Sequence, residues 1–151
     1  MIASFETTLN NSFYVSHKDS PATIFNVYAN SIFVPNGRGN VVLDCFRLYE
    51  ATLTGAIPVV VGSWSEVREA FYFDGDIPPW IFEETWEAAA ARCTDLSANV
   101  EALQQIQEEQ LKWWSRQILT ARKRIWRAII EDTGEKSKQS TSQGMIELWN
   151  P

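Results

Sequence analysis

Arg38, Arg47 and Glu50 are the side chains of this sequence best suited by type and spacing to hold an anionic ligand. Arg38 stands between Gly37 and Gly39 in "VPNGRGNVV", and Asp44, Arg47 and Glu50 follow at intervals of three in "LDCFRLYE". A guanidinium offers a planar fork of N–H donors that matches phosphate oxygens two at a time. A carboxylate accepts hydrogen bonds from both hydroxyls of a ribose diol. Glycines on either side of Arg38 free the backbone for unusual dihedrals and let main-chain N–H groups approach an anion. The same residues also fit a plainer role. Asp44–Arg47 and Arg47–Glu50 ion pairs on a solvated helix face are worth only a few tenths of a kcal/mol each, and a GxG between two elements is an ordinary turn.

Three further groups have chemical potential. His17 is the only imidazole, and in "SFYVSHK" it falls at the end of a strand-like run, where it would face a cleft as a catalytic group or sit as an ordinary surface or core histidine. The "DGD" of residues 74–76 is the nearest approach to a paired-carboxylate metal motif, and beside "IPP" it reads more simply as a solvated turn. Cys45 and Cys93 are two widely separated thiols in apolar or helical contexts, without a CxxC, so buried free thiols are expected and no metal site.

The elements that would position these groups follow from periodicity. Residues 12–18 read as a short strand, and Ser20 before Pro21 is a helix-start signature for residues 20–31. "SIFVP" at 31–35 reads as a second strand and "NGRGN" as a loop. Residues 41–55 read as a helix closed by Gly55, with Arg47 in its second turn. "AIPVVVG" at 56–62 is an apolar run of strand length, as expected for a parallel strand covered on both faces. The order strand, helix, strand, helix, strand predicts an α/β fold, a Rossmann-like parallel sheet with right-handed crossovers. Beyond it, residues 63–82 mix a short helical turn with an irregular stretch. Residues 83–97 resume as helix. An apolar stripe from Leu96 through Val100, Leu103, Ile106, Leu111, Trp114, Ile118 and Ile125 to Ile129 predicts a long amphipathic helix over about residues 95–131, single or divided near Trp113 and Trp114. The organisation expected is an extension at 1–11, one domain at 12–132 and a polar, mobile tail at 133–151.

Composition restricts the function. With 151 residues, 45% hydrophobic, the chain can bury one core. A net charge of −6 argues against a nucleic-acid surface, because phosphate backbones are bound by clustered Lys and Arg. No apolar run approaches the roughly 20 residues needed to span a bilayer, and the first eleven residues lack the pattern of a signal peptide. The chain as given therefore reads as soluble, without direct membrane insertion.

In parallel α/β sheets, ligands collect at the carboxyl ends of the strands. The stretch at that position, "FVPNGRGNVVLDCFRLYEATLTGAIPVVV", resembles the donor-binding segment of exostosin-like glycosyltransferases. The matching pieces are Pro35, Gly37-Arg38-Gly39, the run from Phe46 to Ala51, Gly55, and Ile57-Pro58-Val59-Val60-Val61. "DIPPWIFEETWEAA" and "IQEEQLKWW" are similar in kind to the family's later Trp-containing turn and C-terminal helix, so the resemblance covers about residues 22–126. It implies the C-terminal, nucleotide-sugar-binding half of a GT-B fold and a nucleoside-diphosphate sugar, such as a UDP-sugar, as substrate. It further implies Arg47 on the donor diphosphate, Glu50 on the ribose, and Arg38 with the Gly37 and Gly39 amides lining the same pocket. Arg47 and His17 are then the catalytic candidates, and Trp64, just past the strand ending at Gly62, is placed to stack on base or sugar.

No metal cofactor is expected, since a GT-B enzyme can stabilise its leaving group with cations and helix-end amides. A full enzyme also needs an acceptor domain, which the chain as given lacks. A glycan or glycoprotein acceptor would be met through such a domain or a partner chain, and the isolated chain is expected to transfer sugar weakly or not at all. Eukaryotic members imply the Golgi lumen, but the sequence leaves the compartment open. The competing expectation is a non-catalytic interaction module that uses its long C-terminal helix.

Overall fold

The computed structural model describes residues 19–39, 42–72 and 75–136, with side chains to residue 130. The expected strand at 12–18, with His17, and the tail beyond residue 136 lie outside the described residues. The chain divides into two compact units, Met1–Trp114 and Ser115–Pro151.

Among the described residues the first unit is an α/β layer structure on a three-stranded parallel sheet in the order β1-β2-β3. Helix α1 (Pro21–Ala29) starts as expected: Ser20 is extended, its hydroxyl accepts from the Thr23 N–H at 3.2 Å, and Pro21 occupies the first turn. Strand β1 (Phe33–Asn36) is an edge strand among the described residues, which is where the missing N–H of Pro35 costs least. Helix α2 (Phe46–Leu53) begins five residues later than the sequence pattern indicated, because Cys45 is extended at φ −153°. Val42 to Asp44 therefore belong to the loop, and the supposed Asp44–Arg47 helical spacing does not exist.

The far end of α2 is a Schellman turn. Gly55 adopts φ +85°, its N–H donates to Thr52 O at 3.2 Å, and the Ala56 N–H donates to Ala51 O at 3.1 Å. Strand β2 (Ile57–Val61) follows at once, buried on both faces as its composition required. Its Pro58 is tolerated because β3 pairs only from Val59 onward.

Helix α3 (Trp64–Phe71) opens on a capping box made by Ser63 and Glu66. The end of the stretch expected to be irregular, "IF", together with Glu83, expected to open the next helix, instead forms strand β3 (Ile81–Glu83), which pairs with β2 through Val59↔Ile81. Helix α4 (Trp86–Ser97) is capped by Thr85, which accepts from the Ala88 N–H at 3.1 Å. The long C-terminal helix is a separate element, α5 (Val100–Lys136). The division falls at Ala98 and Asn99 rather than near Trp113, because Asn99 caps the new helix by accepting from the Ala102 N–H at 3.0 Å.

Packing explains the alternation. On one face Ile57, Val59 and Ile81 meet Ala89, Ala90, Cys93 and Leu96 of α4, with Leu103 and Ile106 of α5 alongside. Burial pushes the Cys93 thiol up to about 12. On the other face Val60 meets Leu48 of α2, Val67 and Phe71 of α3, Trp80 and Trp113. Trp80 is the hub of this layer, with its ring centroid 5.3 Å from Phe71, 5.6 Å from Tyr49 and 5.6 Å from Trp113, each edge to face. Between these contacts α5 touches the amino end of β2. The Gln107 and Gln110 side-chain amides donate to Gly55 O and Ala56 O at 2.9 and 2.8 Å, which satisfies carbonyls at the Schellman turn. In the second unit, residues 115–136 continue as helix.

Candidate functional site

The carboxyl ends of β1 and β2 carry the loops in which the sequence placed its candidates. The first loop is drawn in tightly. A Cβ on Gly39 would stand 2.5 Å from Asp44 O and 3.0 Å from Val42 O, so only glycine fits against these backbone atoms. Gly37 faces open space. The positive-φ glycines among the described residues are Gly55 and Gly75, so the expectation of unusual dihedrals at Gly37 and Gly39 is corrected: Gly39 is required by close approach rather than by conformation.

Arg38 lies across this loop and makes an ion pair with Glu66, Nη2 to Oε1 at 2.7 Å. The other carboxylate oxygen of Glu66 accepts from the Ser63 N–H at 2.9 Å and from the Ser63 hydroxyl at 2.8 Å. Those Ser63 hydrogen bonds and then Arg38 hold the Glu66 carboxyl below its ordinary value. One carboxylate thus clasps the loop after β1 to the start of α3. A second close approach lies beside it, since a Cβ on Gly62 would meet Leu43 Cδ1 at 2.6 Å. Trp64, in the first turn of α3, stands 54% exposed at this edge.

Arg47 occupies the first turn of α2, one turn earlier than the sequence pattern placed it. It forms no ion pair with Asp44 or Glu50, and its guanidinium carbon sits 5.2 Å above the Phe46 ring centroid. The charges of Arg47 and Glu50 both act on Tyr28 of α1. Burial raises the Tyr28 hydroxyl's pKa, Arg47 draws it back, and Glu50 and Cys45 add to the rise. The candidates therefore form two sets. Arg38 and Trp64 belong with Ser63 and Glu66 at α3, whereas Arg47 and Glu50 gather around Tyr28, and no hydrogen bond or ion pair joins Arg38 to Arg47.

Three polar groups outside the predicted ligand-binding set complete the region. Asn36 ends β1 with 8% exposure and its Nδ2 has no hydrogen-bond partner among the described residues. Asp44 keeps one buried oxygen, Oδ1, in the same condition. Burial, followed by the Asp44 carboxylate, pushes the nearby Tyr49 hydroxyl well above the ordinary tyrosine range. Glu66 was legible as the fourth residue of "SWSE", a capping-box signature. Nothing in the sequence pattern marks Asn36.

Among the described residues no group of three or more His, Cys, Asp and Glu side chains is arranged to hold a metal ion. Asp74 of the "DGD" lies outside them. No helix among them is long and apolar enough to cross a membrane. Comparison with protein-family models, curated proteins and solved structures yields no match.

Proposed function

We propose that this chain is the donor-binding half of a GT-B glycosyltransferase of the exostosin-like kind, recognising a nucleoside-diphosphate sugar and stabilising its diphosphate as it leaves. The observation that carries the reading is Arg47: a guanidinium in the first turn of a helix that follows a parallel strand, with no carboxylate partner among the described residues to occupy it. Such a helix start favours anions through its free N–H groups. Arg47 adds a charge-assisted fork aimed at developing negative charge on the leaving phosphate. Glu50, one turn further on, takes the ribose hydroxyls. Trp64 at the neighbouring strand end offers an exposed indole for the base or sugar. Arg38 takes a positioning role in this scheme, because its guanidinium is already held by Glu66 and fixes the loop instead of the ligand. Transfer requires an acceptor site supplied by another domain or chain.

Saturation-transfer NMR of the whole chain with a panel of nucleosides, nucleoside diphosphates and nucleotide sugars tests the proposal. The expected result is transfer from a uridine or guanosine diphosphate and little from the bare nucleosides. Silence across the panel rejects the donor site. That outcome favours the second reading, an interaction module, which the exposed Ile118, Leu119, Ile125 and Trp126 of α5 support.

A further inference from the structure

Residues 115–130, "SRQILTARKRIWRAII", hold five basic side chains and no acidic one. This is a net +5 inside a chain whose total is −6, so the remainder carries −11. The whole stretch is helical and lies in the second unit. At about 100° per residue, Lys123, Arg116, Arg127 and Arg124 fall with Thr120 and Gln117 in one arc of about 120°. The opposite arc, about 200° wide, is apolar except for Ser115 and Arg122. Within that arc Ile118 is 42% exposed, Leu119 54%, Ile125 62% and Trp126 40%.

We propose that this segment is a peripheral docking face for an anionic lipid surface, with the helix lying in the plane of the headgroups. Three features select this occupant. An apolar arc wider than half the helix exceeds the narrow seam of a two-helix coiled coil, which is also flanked by charges of both signs. Self-pairing along the same segment would set +5 against +5. A polyanion without apolar character, such as a nucleic acid, would match the basic arc and leave the isoleucines and Trp126 in water. A bilayer surface matches both arcs at once: phosphate and carboxylate headgroups face the Lys and Arg side chains, and the acyl boundary accepts the apolar residues. Trp126 suits that boundary, having a large apolar body and one polar N–H. The helix lies on the bilayer and does not cross it. The inference is independent of the nucleotide reading.

Co-sedimentation of the full chain with phosphatidylcholine vesicles, with and without phosphatidylserine, tests it. The chain should bind only the phosphatidylserine vesicles, and raised salt should weaken that binding. Each basic residue near such a surface is worth about fivefold, so Lys123→Gln with Arg127→Gln should weaken binding about 25-fold. Ile125→Ser with Trp126→Ser should abolish binding even at low salt, with circular dichroism verifying that both variants keep the parent's helix content. The proposal is overturned by failure to bind anionic vesicles, by equal binding to neutral ones, or by a charge variant that binds like the parent. It is equally overturned if vesicles are ignored while the segment captures an acidic helix-binding protein or a second copy of the chain.

Discussion

Replacing Arg47 by alanine separates a ligand-binding side chain from a structural one, because its present contacts are so few. Among the described residues its guanidinium stacks on Phe46, 5.2 Å from the ring centroid of a residue that is 65% exposed, and makes no ion pair. A cation–π contact at such an exposed site contributes about 0.5 to 1 kcal/mol. Working against it, a cation in the first turn of a helix opposes the helix dipole by about 0.3 to 1 kcal/mol. The two nearly cancel, so Arg47→Ala should leave the melting temperature within a few degrees of the parent. Binding is another matter. A charge-assisted, two-pronged bond to a diphosphate in a partly desolvated site is worth about 2 to 4 kcal/mol, or about 30-fold to 900-fold in affinity. Calorimetric titration with uridine diphosphate should register that loss, whereas uridine itself should bind almost unchanged. Glu50→Gln should weaken nucleoside and nucleotide alike. An Arg47→Ala protein that binds the diphosphate as tightly as the parent refutes the reasoning at its central residue.

The remaining expectations concern the frame around the site. Gly39→Ala should destabilise by about 1 to 3 kcal/mol in chemical denaturation, since its Cβ meets a backbone oxygen that cannot swing aside, while Gly37→Ala should be neutral or slightly stabilising; equal effects at the two glycines would contradict the close-approach account. Glu66 has a depressed folded-state pKa, so its stabilising contribution is present above the ordinary value of 4.5 and is lost as pH falls through the folded value. The denaturation midpoints of parent and Glu66→Gln should therefore differ at neutral pH and converge in acid; a constant gap would rule out the clasp. A thiol reagent at neutral pH should label the half-buried Cys45 and leave Cys93 unreacted until the protein unfolds, because burial holds the Cys93 thiol near 12. Prompt labelling of both would place Cys93 elsewhere.

Strong local chemistry made much of this fold readable. Ser20-Pro21 marked the start of α1, Gly55 marked the end of α2, and the unbroken apolar run of β2 announced a strand covered on both faces. The misreadings arose where local signals were weak or ambiguous. The apolar residues at 41–43 continue the period of α2, yet the close approach at Gly39 holds Val42 to Asp44 as loop, so Arg47 moved into the first turn. Strand β3 is only three residues long and follows two prolines, leaving too little pattern to be recognised. At the candidate site the residue types were apparent but their partners were not. That Arg38 would turn to Glu66, 28 residues away, depends on how two loops meet above the sheet, and no periodicity carries that information.

The two glutamine amides at the amino end of β2 bear on the order in which the molecule assembles. Gln107 and Gln110 reach Gly55 and Ala56, 52 and 54 positions earlier in the chain, and the carbonyls they satisfy belong to the corner leading into the central strand. Until that closure the corner must rely on water, and Trp113, 1% exposed in the folded chain, has no place against Trp80. Contacts so distant along the chain are slow to form, because loop entropy is lost before they reward it. The sheet should therefore gain protection late, together with the glutamine-bearing turns of α5. Pulsed hydrogen exchange during refolding would reveal this as simultaneous protection of Ile57–Val61 and those turns. Early protection of the strand alone would mean that the helix merely settles on a sheet already made.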